Sequence, residues 1–328
     1  MNAYVRSAAM KAAVVTGPGR LAIEDIPVPE PGPGEVRLRI RGCGVCASNL
    51  VPWSGPEWMT FPTEPGGLGH EGWGVVDALG EGVEGLDPGQ PVAALTYHAY
   101  AGYDIGPASH VLPLPQALAT RPFPGEPFGC AMNIFERADI RAGHMVAIVG
   151  IGFLGAILTR LATRAGACVL AVSRRQFSLD VALKMGAQET LALGSDRGSI
   201  VKRISEMTEG TLCDRVIEAT GKQAPLDLSA ELARERGRLV IAGYHQDGSR
   251  QVDMQLWNWR GLDVINAHER DPAIYLQGIA RAIAAVEDGT LDPDAFLTHR
   301  YPLARLGEAL DATRDRPDGF LKAWVEMP

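Results

Sequence analysis

An apolar strand running through glycines into a helix constrains this chain more than any other feature. Met145–Val149 is a short apolar run, Gly150-Ile151-Gly152-Phe153-Leu154-Gly155 follows, and a helical pattern over Ala156–Ala165 ends at Gly166. With 38 glycines in the chain, a G-x-G-x-x-G string by itself says little. Between strand and helix it has a mechanism: the first glycine makes the tight turn, the second lets a pyrophosphate approach the backbone, and the third lets helix and strand pack closely. Free N–H groups and the positive end of the helix dipole then face the phosphates. Gly150, Gly152, Phe153, Leu154 and Gly155 are therefore candidate dinucleotide-binding residues.

The surroundings support a parallel sheet. From about Gly143, strand candidates at Cys168–Val172, Leu191–Leu193, Val216–Glu218, Leu239–Ala242 and Val264–Ile265 alternate with helical segments. Such alternation predicts an α/β domain with helices on both faces. Residues 10–125 read differently, as short strands broken by glycine and proline, including Glu35–Ile40 and Gly72–Leu79, which predicts a β-rich domain. The tail offers amphipathic helices near Pro272–Val286 and Leu303–Thr313 and a last strand at Phe320–Glu326. At 328 residues, two domains are expected.

Where an NAD site would place Asp or Glu at the end of the second strand, this chain has Ser173-Arg174-Arg175. A carboxylate repels a ribose 2′-phosphate, whereas a hydroxyl followed by two guanidiniums binds it, so NADP is favoured over NAD. The formal charge of −8 and the lack of any basic run argue against nucleic-acid or anionic-membrane partners. No apolar stretch approaches the roughly 18 residues of a membrane span. The cysteines Cys43, Cys46, Cys130, Cys168 and Cys213 are odd in number and scattered, which is no disulfide framework and suggests a reducing, cytoplasmic setting.

Gly42-Cys43-Gly44-Val45-Cys46-Ala47-Ser48-Asn49, then Gly69-His70-Glu71-Gly72, supply thiolate and imidazole, both good zinc ligands. Here the chain resembles the medium-chain dehydrogenase/reductase family, in which a C-G-[S/T]-D motif and a G-H-E motif precede a nucleotide-binding domain. The resemblance extends from Met10 through Gly89-Gln90-Pro91-Val92, Glu218-Ala219-Thr220-Gly221 and Gly237-Arg238-Leu239-Val240. It implies a GroES-like catalytic domain, residues 1–130 and 267–328, and a Rossmann-type doubly wound domain, residues 131–266. It further implies a zinc-dependent alcohol dehydrogenase with Cys46 and His70 as metal ligands and Glu71 as a close or intermittent one. Ser48 would pass the substrate proton toward the cofactor ribose, and Thr220 and Lys322 would belong to the cofactor site. The substrate would be a small alcohol or carbonyl compound, with a polyol, sugar or cyclitol slightly favoured.

Several departures from the family pattern shape these expectations. The stretch Ala94–Tyr103 has no cysteine, so one catalytic zinc and no structural zinc is expected. Asn49 stands for the motif's Asp, predicting a hydrogen bond to Lys322 in place of an ion pair. Val51 replaces a histidine that extends the proton relay in some relatives. Glu126-Pro127-Phe128-Gly129-Cys130 offers two candidates for the third ligand. Softness favours the Cys130 thiolate. Glu126 lies 24 residues before Gly150, the spacing at which sorbitol dehydrogenase-like relatives place an E-P-L glutamate, and on that register it is the better candidate. His98 and His268 are acid–base candidates, each as readily structural. Trp53, Trp58 and Tyr97 are candidate pocket-lining aromatics, each as readily a packing residue. The apolar run Val252–Ile265 could pair across the edge of a homodimer or homotetramer. The rival readings are a zinc-free quinone or enone reductase on the same fold and a non-catalytic NADPH-binding protein.

Overall fold

The computed structural model describes residues 8–194 and 196–328. The chain opens with an antiparallel pair, β1 (Ala9–Gly17) and β2 (Arg20–Pro27). Next come β3 (Glu35–Gly44), α1 (Leu50–Ser54), β4 (Gly72–Leu79), β5 (Pro91–Ala94), β6 (Tyr103–Pro107) and β7 (Val111–Pro113). The helix α2 (Gly125–Ala138) leads into β8 (Met145–Val149), α3 (Phe153–Arg164), β9 (Cys168–Ser173), α4 (Gln176–Lys184) and β10 (Glu189–Ala192). Then follow α5 (Arg197–Met207), β11 (Cys213–Glu218), α6 (Gln223–Leu232), β12 (Ala233–Ile241), α7 (Met254–Arg260), β13 (Asp263–Asn266) and α8 (Pro272–Glu287). The last elements are β14 (His299–Pro302), α9 (Leu306–Asp315) and β15 (Ala323–Glu326).

Two compact units result. The first joins residues up to Pro127 with Pro293–Pro328, and the second is Phe128–Asp292. In the first, a seven-stranded sheet runs β14-β15-β3-β4-β5-β7, with β6 also pairing β3. Over Val36–Arg41 of β3 the burial alternates: Val36, Leu38 and Ile40 are buried, while Arg39 and Arg41 face solvent; Gly42, Cys43 and Gly44 are all buried. Arg37 is held by Asp77 and Glu30 at 2.7 and 2.9 Å. This is the period-two pattern of a strand packed on one face.

Trp53 belongs to this core. It is 4% exposed, and its indole N–H donates to Asp311 Oδ1 at 3.1 Å. Its ring therefore fastens α1 to α9, the packing role that the sequence allowed beside pocket lining. Trp58 and Tyr97 are exposed.

The second unit is a six-stranded parallel sheet ordered β10-β9-β8-β11-β12-β13. Val146, Ala147, Ile148 and Val149 of β8 are all fully buried, as expected for a central strand covered on both faces. The doubly wound architecture read from the strand–helix alternation is present. The chain leaves this unit later than expected. Residues 267–292, assigned to the catalytic domain from sequence, belong to it because α8 packs on α2. Asn133 Nδ2 donates to the Ile274 carbonyl at 3.1 Å, and Arg281 donates to Asn133 Oδ1 at 2.8 Å. Periodicity alone does not say which sheet an amphipathic helix joins. The last strand begins at Ala323 rather than Phe320, and a 3-10 turn, Leu303–Arg305, precedes α9. Among the described residues no helix is long and apolar enough to cross a membrane.

Replacing Trp53 by Ala removes a buried indole and leaves a cavity between α1 and α9. Equilibrium unfolding should show a loss of about 3–5 kcal/mol. A loss below about 1 kcal/mol, the range of ordinary surface changes, would contradict the core assignment.

Candidate active site

The first unit gathers the metal-binding candidates at the end of β3. Val45 N–H donates to the Ala323 carbonyl at 2.9 Å, so the strand's pairing with β15 fixes where the chain turns away. Cys46 is the N-cap of the short turn Ala47–Asn49, and its sulfur accepts Ser48 N–H at 3.4 Å. His70 is set by its own loop. Its Nδ1 lies 3.0 Å from the Leu68 carbonyl, so Nδ1 carries the proton and Nε2 is left to face the cluster. The ligand atoms of Cys46, His70 and Glu71 lie within 4.8 Å of one another.

Glu71 is 1% exposed and is held by Lys322, which is 6% exposed. Lys322 Nζ donates to Glu71 Oε1 at 2.8 Å and to the Val45 carbonyl at 3.3 Å, and lies 2.7 Å from Oε2. Among the described residues Oε2 has no hydrogen-bond partner. A Cβ on Gly44 would come within 1.9 Å of that oxygen, so only glycine leaves it room. A buried carboxylate beside a sulfur and an imidazole nitrogen, with the Lys322 ammonium as the counter-charge to Oε2, is a donor set a divalent metal such as zinc takes, and the residues present fit one.

Charge tuning agrees with this clustering. Burial depresses the His70 pKa, but the hydrogen-bonded Cys46 and the charges of Glu126 and Glu71 outweigh it and raise it to about 10. Burial pushes the Glu126 carboxyl up to about 7, while His70 and Lys322 pull it the other way. Lys322 stays above its usual value despite burial, because Glu71 and Cys46 stand beside it. Glu126, in the first turn of α2, thus acts on the cluster through its charge but lies outside the trio whose ligand atoms converge. Cys130 is half-buried one turn further along α2 and forms no disulfide.

Asn49 does not pair with Lys322 as expected. Its amide donates to the Leu68 carbonyl at 3.1 Å and to Tyr100 Oη at 3.0 Å, and Tyr100 O–H donates to the Gly44 carbonyl at 3.1 Å. Two acceptors call for a donor, which an amide is and a carboxylate is not. The Leu68 carbonyl serves both Asn49 and His70, so the Cys46 turn and the His70 loop share one anchor. Tyr100 was missed from sequence because nothing local marks it; it reaches the site only through the fold. His98 lies at the surface against Glu64, 3.2 Å away, and His268 stacks on Tyr244 with ring centroids 5.2 Å apart. Neither joins the metal trio.

The second unit holds the dinucleotide motif in the expected context. Gly152 is the N-cap of α3, with Phe153, Leu154 and Gly155 in its first turn. A Cβ on Gly155 would lie 2.0 Å from the Gly150 carbonyl, so only glycine lets the helix sit this close to the strand end. Ser173 ends β9, Arg174 is exposed, and Arg175 caps α4. Thr220 follows β11, with its methyl against the Gly150 turn.

Two family models match, the alcohol dehydrogenase GroES-like domain over residues 32–116 and the zinc-binding dehydrogenase over residues 154–280, together more than half the chain. The chain belongs to the zinc-type medium-chain dehydrogenase/reductase family. Among its relatives is an alcohol dehydrogenase of Cupriavidus necator, 27% identical over 98% of this chain and 99% of that one. The sorbitol dehydrogenase of Gallus gallus is 27% identical over 92% of this chain and 93% of that one. A putative zinc-binding dehydrogenase from Sinorhizobium meliloti 1021, solved bound to NADP, shares the fold with a TM-score of 0.84 at 24% identity, over 98% of this chain and all of that one. This dehydrogenase is an oxidoreductase of alcohol dehydrogenase type.

With its pKa raised to about 10, His70 is protonated in the metal-free protein at about pH 8 and must lose that proton to bind a metal. Zinc added to the chelated protein in weak buffer should release protons, and apparent zinc affinity should rise with pH. Uptake without proton release would contradict the described trio.

Proposed function

We propose that the protein is a zinc-dependent, NADP-linked dehydrogenase of secondary alcohols, polyols or sugar-like substrates, giving a ketone or aldehyde. The observation that carries this reading is the convergence of Cys46, His70 and Glu71, which a zinc-free reductase or a dinucleotide-binding protein without catalysis does not need. Cys46 and His70 would hold one zinc, with carboxylates from Glu71 and Glu126, the latter directly or through water. Zinc held there polarises an alcohol oxygen and lowers its pKa, and NADP supplies the hydride acceptor.

The chain's own residues do the rest. Ser48, two residues after Cys46, accepts the proton that the alcohol gives up, and with Val51 in place of a relay histidine the proton leaves through the cofactor ribose and water. Lys322 holds Glu71 in place and keeps negative charge near the trio from accumulating unopposed. Arg174 and Arg175, next to Ser173, meet a 2′-phosphate at the carboxyl end of β9. Gly150, Gly152 and Gly155 with the N–H groups of Phe153 and Leu154 bind the pyrophosphate, and Thr220 borders them. The polyol and sugar preference rests on relatives named sorbitol dehydrogenase and L-galactonate-5-dehydrogenase.

The assembly is read as a homodimer or homotetramer in a reducing compartment. β13 is an edge strand with β12 as its one partner among the described residues, and Val252, Met254 and Trp259 are exposed nearby. An edge with exposed apolar side chains is a pairing surface.

Turnover against a panel of polyols, sugars and simple alcohols should be found with NADP, should vanish on chelation and should return with zinc. Replacing Arg174 and Arg175 by Ala should raise the NADP KM about tenfold or more and the NADP KM far more than the NAD KM, since charge-assisted hydrogen bonds are worth about 1.5–3 kcal/mol each. Equal use of NAD and NADP by the native chain, or full activity in the chelated form, would refute the reading.

A further inference from the structure

The second unit contains a closed ring of hydrogen bonds that the reaction as proposed does not use. Glu218 ends β11 and is fully buried, yet it is a carboxylate. Its Oε1 accepts Thr220 N–H at 2.7 Å and Gly221 N–H at 3.0 Å, and it also accepts the Thr220 hydroxyl. Its Oε2 lies 3.0 Å from His245 Nε2. On the other side of the imidazole, Arg250 Nε donates to His245 Nδ1 at 2.8 Å, and Arg250 Nη2 donates to the Gly221 carbonyl at 2.8 Å, closing the ring. Asp247 clamps the outside by pairing with both Arg250 and Lys222.

The protonation of His245 follows from its neighbours. A guanidinium is a permanent donor, so Nδ1 must offer a lone pair. Nε2 then carries the one ring proton and donates it in a hydrogen bond to Glu218 Oε2, which fixes His245 in one tautomer. A lysine or a second carboxylate at this position could not accept from arginine and donate to glutamate at once.

What the ring holds is the turn Ala219–Lys222. That turn presses on the first glycine of the dinucleotide motif: a Cβ on Gly150 would meet the Thr220 methyl at 2.4 Å and the Ala219 backbone at 3.2 Å. A Cβ on Gly243, on the loop that carries His245, would lie 2.1 Å from Gly221 N, so the two loops fit without space for a side chain there. Gln223 and Gln251 tie the outer ends together through 2.7 and 3.0 Å bonds.

We infer that His245 and Arg250 are positioning residues for the dinucleotide, locking the Thr220–Gly221 turn against Gly150 so that the motif is preorganised before the cofactor arrives. The inference rests on the proposed dinucleotide site. A rigid turn reduces the ordering that binding must accomplish, so its loss appears in cofactor affinity and not in the chemical step.

Binding of NADPH by the zinc-loaded protein tests this, with turnover measured at saturating cofactor. His245→Leu should weaken NADPH binding about tenfold, the scale of one hydrogen bond to a charged partner, with kcat kept within about twofold. His245→Gln, which keeps an acceptor and a donor on one side chain, should recover most of the affinity. Nitrogen-15 spectra of the native chain should show His245 as a single neutral tautomer protonated at Nε2. Unchanged affinity in His245→Leu, equal loss in Leu and Gln, or a cationic His245 would overturn the inference. If the native chain binds neither NADPH nor NADH, the proposed dinucleotide site itself is overturned, an outcome distinct from failure of the ring alone.

Discussion

The buried pair between Lys322 and Glu71 holds the catalytic unit's site together. Lys322 comes from the segment just before β15, Glu71 from the loop just before β4, and the ammonium also meets the Val45 carbonyl where β3 ends. Taking two charges out of water costs several kcal/mol per ion, and mutual attraction offsets it only with good geometry and further hydrogen bonds. Besides Glu71, Cys46 and Glu126 also act to raise the lysine's pKa, against the effect of its burial. The pair is therefore one part of a cluster of opposed charges, in which the carboxylates of Glu71 and Glu126 face Lys322 and His70. The tail of the chain returns to the first unit with Lys322 just before β15, and without it the Glu71 carboxylate would lack its counter-charge.

The dehydrogenase fold was legible where local physics decides. The strand, glycine turn and helix at Met145–Arg164 are self-contained, and β8, α3 and β9 stand where the pattern put them. The boundary at 267 was not legible, because the amphipathic stripe of α8 suits either sheet and only its contacts with Asn133 decide the matter. Trp53 shows the same limit. An aromatic near a metal motif reads equally as pocket lining or packing until its indole is seen bonded to Asp311, far away in sequence.

The convergence of Cys46, His70 and Glu71 was legible, and the residues that support it were not. Cys46, His70 and Glu71 follow from motif and chemistry, whereas the role of Asn49 depends on the Leu68 carbonyl and on Tyr100, both placed by loops without a sequence signature. Substituting amide for carboxylate in the motif reads from sequence as a lost charge. In the fold it is a change from acceptor to donor, matched to the acceptors Leu68 O and Tyr100 Oη. Glu218 and His245 make a similar point in the other unit: 27 residues apart in sequence, they meet because adjacent parallel strands end at the same edge of the sheet.

Zinc-edge X-ray absorption of the zinc-loaded protein tests the central claim most directly, because it counts donor atoms without reference to activity. The account predicts one sulfur at about 2.3 Å, from Cys46, with nitrogen and oxygen donors at about 2.0–2.2 Å from His70 and the carboxylates. A shell with two sulfurs would bring Cys130 in as a ligand in place of Glu126, and a shell with no sulfur would remove Cys46 and with it the proposed centre.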